Sequence, residues 1–96
     1  MAKAYWVATY RELPDPDKAA AYGKLAGPAI LAGGGRFLAR GMPTQAYELG
    51  VLQRTVLIEF DSLEAALAAH ETPAYKAALG ALGDGARRDL RIIEGM

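Results

Sequence analysis

Cysteine is absent from this 96-residue chain, which excludes disulfides, thiolate metal sites, iron–sulfur clusters and cysteine nucleophiles. Histidine occurs once, at His70, so one chain cannot assemble a histidine-rich metal site. Serine also occurs once, at Ser62, where it reads as a helix cap and leaves a Ser-His-Asp triad without a persuasive nucleophile. An excess of one charge is missing too: 11 basic residues balance 11 acidic ones, and only Arg87-Arg88 are adjacent among the basic ones. With no broad positive field to hold a phosphate backbone, no nucleic-acid partner is expected. No apolar run approaches the roughly 20 residues needed to span a bilayer, and Met1 to Trp6 lacks a signal-peptide pattern. The expectation is a cytoplasmic protein without a membrane partner.

What is present suffices for a core. The hydrophobic share is 52%, and the length suits one domain over residues 1–96. Ala4 to Tyr10 is rich in aromatic and β-branched residues and reads as a strand. Asp15-Pro16 is a cap-and-proline helix start, and Ala19, Tyr22, Ala26 and Ala29/Ile30 form an apolar stripe running to about Ala32. Gly27-Pro28 predicts a kink there, or two short helices. Gly33-Gly34-Gly35 follows a helix instead of preceding one, so it reads as a cap and turn, not as a phosphate loop. Arg36 to Arg40 is a second strand that Ala46 to Leu49 is expected to continue beyond a break at Gly41-Met42-Pro43. Thr55 to Phe60 is the clearest strand, Ser62 and Thr72-Pro73 start two helical segments, and Leu90 to Glu94 is the last strand.

The order β-α-β-β-α-β is that of an α+β ferredoxin-like sandwich, a four-stranded antiparallel sheet with helices on one face. Alternation assigns Trp6, Ala8, Tyr10, Phe37, Ala39, Val56, Ile58, Phe60 and Ile93 to the helix side. The other face would then carry Val7, Leu38, Leu57, Leu90 and Ile92, with Tyr5, Arg36, Arg40, Glu59 and Glu94 among them. Such an apolar patch predicts a homodimer through the sheet face.

Several residues invite chemistry. His70 is either an acid–base group at a pocket between helix and sheet or a helix-end histidine packed near Thr72-Pro73. Arg36 and Arg40 would share a face and either clamp a carboxylate or pair with Glu59 and Glu94. Those glutamates are read as an acid–base pair or as salt-bridge partners, and the usual strand order puts them too far apart for a dyad. Tyr5, Tyr22, Tyr47 and Tyr75 offer phenol hydrogen bonds and Trp6 an aromatic wall, although aromatics at this spacing also build cores.

The segments Gly34 to Gly41, Val56 to Ala66, Pro73-Ala74-Tyr75 and Ile92 to Gly95 together resemble the "domain of unknown function 1330" family of small bacterial proteins. The resemblance runs from Tyr5 to Gly95 and implies a dimeric α+β barrel. His70, Thr72 and Met42-Pro43 depart from the family's pattern of an aromatic, a serine and a second glycine. Cofactor-free oxygenases, muconolactone-isomerase-like proteins and haem-containing barrels are structural relatives of the family. The arginine and histidine candidates suggest that the chain binds or converts a small carboxylate or oxyanion metabolite with no cofactor, and by analogy with those relatives the conversion would be isomerase- or monooxygenase-like. Arg40 and His70 would be catalytic, and Tyr5, Trp6, Tyr75, Arg36, Glu59 and Glu94 would contact substrate. The alternative is a non-catalytic ligand-binding or interaction module.

Overall fold

Alternate residues of the first strand, β1 (Ala4–Glu12), are fully buried: Ala4, Trp6, Ala8 and Tyr10 face inward, while Tyr5, Val7 and Thr9 between them are half-buried. The computed structural model describes residues 2–96. After β1 come α1 (Pro16–Ala32), β2 (Arg36–Gly41), β3 (Thr55–Phe60), α2 (Leu63–His70), α3 (Pro73–Leu82) and β4 (Arg87–Glu94). The strands form one antiparallel sheet in the order β2-β3-β1-β4, with the helices against one face, a ferredoxin-like α+β arrangement. No described helix is long and apolar enough to cross a membrane.

Caps set the helix starts. The Asp15 carboxylate accepts from Lys18 N at 3.2 Å, Ser62 Oγ from Ala65 N at 3.1 Å, and Thr72 Oγ1 from Tyr75 N at 3.1 Å. In the glycine triplet, Gly33 N, Gly34 N and Gly35 N donate to Ala29, Leu31 and Ile30 carbonyls, so none of the three is free for an anion. The core joins Trp6, Phe60, Ile58 and Val56 of the sheet to Tyr22, Ala26 and Ile30 of α1, Ala66 of α2, and Tyr75 and Leu82 of α3.

Four sequence expectations are corrected. Helix α1 runs unbroken through Pro28 instead of dividing into two short helices, because Lys24 and Pro28 both lie on its exposed side, where water can serve the carbonyl that proline cannot. Ala46 to Leu49 do not extend β2, which ends at Gly41 before Pro43; residues 42–54 form an irregular arm with a turn at Tyr47–Gly50. The β4 faces are reversed. Tyr5 pairs with Ile93 and Trp6 with Ile92, so Leu90 and Ile92 pack on the core and Ile93 is exposed. Adjacent isoleucines fit either face in isolation, and the register decides. Last, β2 changes register between Phe37 and Ala39. Arg36 pairs with Glu59 on the open face, whereas beyond the irregularity Arg40 pairs with inward-facing Val56 and Ala39 with open-face Leu57. Arg36 and Arg40 therefore lie on opposite sides of the sheet.

A methyl group at Gly35 would lie 2.6 Å from Ile30 Cγ2, 2.9 Å from Phe60 Cζ and 3.0 Å from Ile58 Cγ2, all core side chains. Gly35→Ala is expected to destabilise the fold by about 1–3 kcal/mol through overpacking, read as a lower urea midpoint at unchanged slope. An unchanged midpoint would show that this corner of the core is loose.

Candidate functional site

Between Tyr22 and Ile30, helix α1 presents mostly small residues to the sheet. Ala19, Ala20, Gly23, Ala26 and Gly27 line a cavity of about 330 Å³ whose opposite wall is Trp6, Ala8, Tyr10, Phe37, Val56 and Ile58. An added methyl at Gly23 would meet nothing within 4 Å. Glycine inside a helix costs about 1 kcal/mol relative to alanine, so this position keeps space at the expense of stability. Ala20, Gly23 and Arg40 are the exposed lining residues and mark the mouth. The sequence signal that could have pointed to this cavity is the density of Ala and Gly in the helix, which the apolar stripe alone does not reveal.

Arg40, Arg54 and Arg88 also line it, and no acidic or histidine side chain does. Among the described residues every lysine and arginine has a carboxylate partner except Lys24, Arg40, Arg54 and Arg88. The arginines occupy one end of the sheet. Tyr10 N donates to the Arg54 carbonyl at 2.9 Å and Tyr10 pairs with Arg88, so Tyr10 stands between them. Arg40 enters diagonally, opposite Val56. Aromatic faces partly substitute for carboxylates: Arg40 sits 4.6 Å from the Phe37 ring centroid and Arg88 4.7 Å from that of Tyr22.

At the inner wall, Trp6 Nε1 donates to the Ala66 carbonyl at 2.8 Å, and its ring stands 5.0 Å from that of Tyr75. The Tyr75 and Tyr22 hydroxyls are 2.8 Å apart, and Arg88 Nη1 donates to Tyr22 Oη at 3.0 Å. Burial pushes the Tyr22 phenol above the ordinary tyrosine range, outweighing the opposite pull of Arg88. Burial alone would favour a neutral Arg88, but the neighbouring Tyr22 and Tyr75 oxygens outweigh it and hold its pKa above the usual arginine value.

The residues singled out from sequence fall into separate places. Arg40, Trp6 and Tyr75 line the cavity. Arg36, Glu59 and Tyr5 form a network on the open face, where Arg36 Nε and Tyr5 Oη each donate to Glu59 at 3.2 Å and Arg36 Nη2 reaches Asp61 at 2.9 Å. Glu59 and Asp61 raise the pKa of Arg36. Glu94 is exposed at the end of β4, with β1 between it and Glu59. His70 packs 5.7 Å from the Trp6 ring and 5.1 Å from Tyr75, bonds Glu71 through Nδ1 at 3.0 Å, and is not among the cavity-lining residues. Among the described residues, no group of three or more His, Asp or Glu side chains is placed to hold a metal ion. The residues that sequence reasoning missed are Tyr10, Arg54 and Arg88, and Tyr22 was considered only as one phenol among several. The adjacent Arg87-Arg88 pair offered the one cue, since strand alternation must send one of two neighbours inward.

Residues 3–96 match the family model described as "Domain of unknown function (DUF1330)". The chain belongs to this family. None of the curated proteins matches it. Among solved structures, this DUF1330 chain is similar to a protein of unknown function from Rhodopseudomonas palustris, with TM-score 0.76, 17% identity, and coverage of 99% of this chain and 83% of that one. It is also similar to SnoaB, a cofactor-independent oxygenase from Streptomyces nogalater, with TM-score 0.68, 12% identity, and coverage of 100% and 95%. A dimeric ferredoxin-like protein of unknown function from Thermobifida fusca gives TM-score 0.63, 19% identity, and coverage of 97% and 91%. At these identities the likeness is one of fold.

Because the Tyr22 pKa is raised in the fold, its contribution to stability is full below the unfolded value of about 10 and is lost as pH rises towards the folded value. Urea midpoints measured from neutral to strongly alkaline pH should fall over that window, and Tyr22→Phe should flatten the fall. An equally steep fall in the variant would assign the alkaline sensitivity elsewhere.

Proposed function

We propose that the cavity of this DUF1330 protein binds a small ligand with a flat apolar body and a carboxylate or related oxyanion. The observation that carries this reading is the company of the unpaired cations. Among the described residues, three of the four lysines and arginines without a carboxylate partner line one aromatic cavity with no acidic side chain in its lining. A ligand carboxylate would supply the missing acceptor, and the planar guanidinium is the side chain best shaped to receive it. The cavity volume of about 330 Å³ falls at the small end of ligand sites.

Binding comes first in this reading and conversion second. The similarity to SnoaB, a cofactor-independent oxygenase, favours cofactor-free turnover of an isomerase or monooxygenase kind through fold analogy only. The alternative of a non-catalytic ligand-binding module is favoured by the position of His70 outside the cavity, which leaves no histidine or carboxylate there to act as a base near neutral pH.

The same reading takes the protein as a homodimer closed through the open sheet face. Ile93 and Leu38 are 59% and 51% exposed, and Val7 and Leu57 pair beside Ile93's neighbour Tyr5. The similarity to the dimeric Thermobifida fusca protein supports it.

Binding of 4-nitrobenzoate, followed by calorimetry, should weaken by about tenfold or more in Arg40→Ala and in Arg54→Ala, as for lost charge-assisted hydrogen bonds. Gly23→Leu should abolish binding by narrowing the mouth, whereas His70→Ala should leave it intact. Equal affinity across the series would remove the cavity as the site. Separately, Leu57→Arg should convert a dimer into a folded monomer by sedimentation, while Arg40→Ala should not. A wild-type monomer at high concentration would discard the sheet-face interface.

A further inference from the structure

We infer that the Tyr22 and Tyr75 hydroxyls, with Arg88, form an oxyanion site at the inner end of the cavity, so that the ligand class is a phenol-bearing aromatic acid bound through its phenolate oxygen. This inference rests on the reading of the cavity as a binding site for a small oxyanion and specifies a second anchor within it.

Hydrogen counting leads there. Arg88 Nη1 donates to Tyr22 Oη at 3.0 Å, and the two phenols share one hydrogen bond at 2.8 Å. If Tyr22 donates to Tyr75, the Tyr75 hydrogen has no acceptor among the described residues. If Tyr75 donates to Tyr22, the Tyr22 hydrogen has none. In either arrangement one phenol O–H is left over, on residues that are 8% and 0% exposed. A buried donor without an acceptor is costly, so a cluster made only of donors and phenol oxygens calls for an acceptor from outside the protein. Arg88 adds a positive charge with no carboxylate beside it among the described residues. The preferred acceptor is therefore an anionic oxygen and not a neutral one.

Placement supports a second anchor instead of a duplicate of the first. Arg54 and Arg88 flank Tyr10 on neighbouring strands, which separates their backbones by about 10 Å. A carboxylate held by Arg40 at the mouth, with Arg54 also in the lining, leaves the far edge of an aromatic ring for the phenol pair, between aromatic walls that include Trp6 and Phe37. Both tyrosines must remain protonated to donate, and burial of Tyr22 favours its neutral form. On binding, the ligand's phenol O–H bond breaks, its oxygen keeps the electron pair, and the proton passes to solvent.

The test uses 4-nitrophenol, whose phenolate is coloured, titrated with pH in the presence of saturating protein. The expected result is an apparent pKa lowered by about one unit or more, a tenfold preference for the phenolate. Tyr75→Phe, which keeps the ring packed on Trp6, and Arg88→Met should each remove most of that shift, with near-ultraviolet circular dichroism verifying the fold. 4-Nitrobenzoate serves as the parallel probe, since its affinity should depend on Arg40 and Arg54 and change little in Tyr75→Phe. A bound nitrophenol with unchanged or raised pKa, or a shift that survives both variants, overturns the inference. If nitrobenzoate still binds through Arg40 in that case, the oxyanion reading of the cavity stands alone. If neither probe binds, both fall together.

Discussion

The indole of Trp6 fixes how far the helices stand from the sheet, and the site depends on that separation. Its N–H is committed to the Ala66 carbonyl, and its ring meets Phe60 at 5.2 Å and Tyr75 at 5.0 Å. Tyr75 in turn meets Tyr22 edge-on at 6.1 Å and through the hydroxyl pair. One aromatic chain thus runs from β1 through α3 to α1, with α2 joined by the indole hydrogen bond. Each such ring buries roughly 150–250 Å² and dominates the local packing energy. Large rings hold α1 away from the sheet along one part of its length, while its Ala and Gly stripe lacks the volume to fill the remainder. The cavity follows from that mismatch of sizes.

The charges obey a similar division. On the open face Arg36 satisfies Glu59 and Asp61, which holds the Asp61 carboxyl below its usual range, an arrangement solvent and salt will weaken. On the helix side Arg40, Arg54 and Arg88 have no such partners among the described residues; all three line the cavity, with Arg40 and Arg88 over aromatic faces. The register change in β2 creates this contrast. Without it Arg40 would join Arg36, and the cavity would lose the guanidinium at its mouth. An irregularity in an edge strand that re-aims a side chain into a cavity is a common use of a bulge.

Much of the frame was legible because local signals agreed. Ser62, Asp15 and Thr72 cap the helices that their positions announce, and the alternation of Val56, Ile58 and Phe60 identifies the inward side of β3. The two errors of face assignment have one physical origin, which is that the face of a strand residue depends on pairing register and not on residue type alone. Ile92-Ile93 fits both faces equally, and the β2 irregularity leaves no mark in Arg36-Phe37-Leu38-Ala39-Arg40. The site was partly legible for the same reason. Trp6, Tyr75 and Arg40 were named, Arg40 on a mistaken face, whereas Arg54 and Arg88 become neighbours of one cavity only through pairing with β1. The cavity itself is a shortage of volume, which periodicity analysis scores as ordinary apolar helix.

Alternation along β1 also separates two tasks. Tyr5, Val7 and Thr9 face the open side while Trp6, Ala8 and Tyr10 face the helices and the cavity, so consecutive residues serve different surfaces. A substitution on one side changes its own surface and reaches the other only through the strand backbone. That separation lets the sheet frame persist while the cavity lining varies, consistent with similar folds at 12% and 17% identity. It follows that fold likeness carries little about the ligand, and that the informative residues are those whose hydrogen bonds and charges the fold leaves incomplete. In this chain they are Arg40, Arg54 and the Tyr22, Tyr75 and Arg88 cluster, which line one cavity.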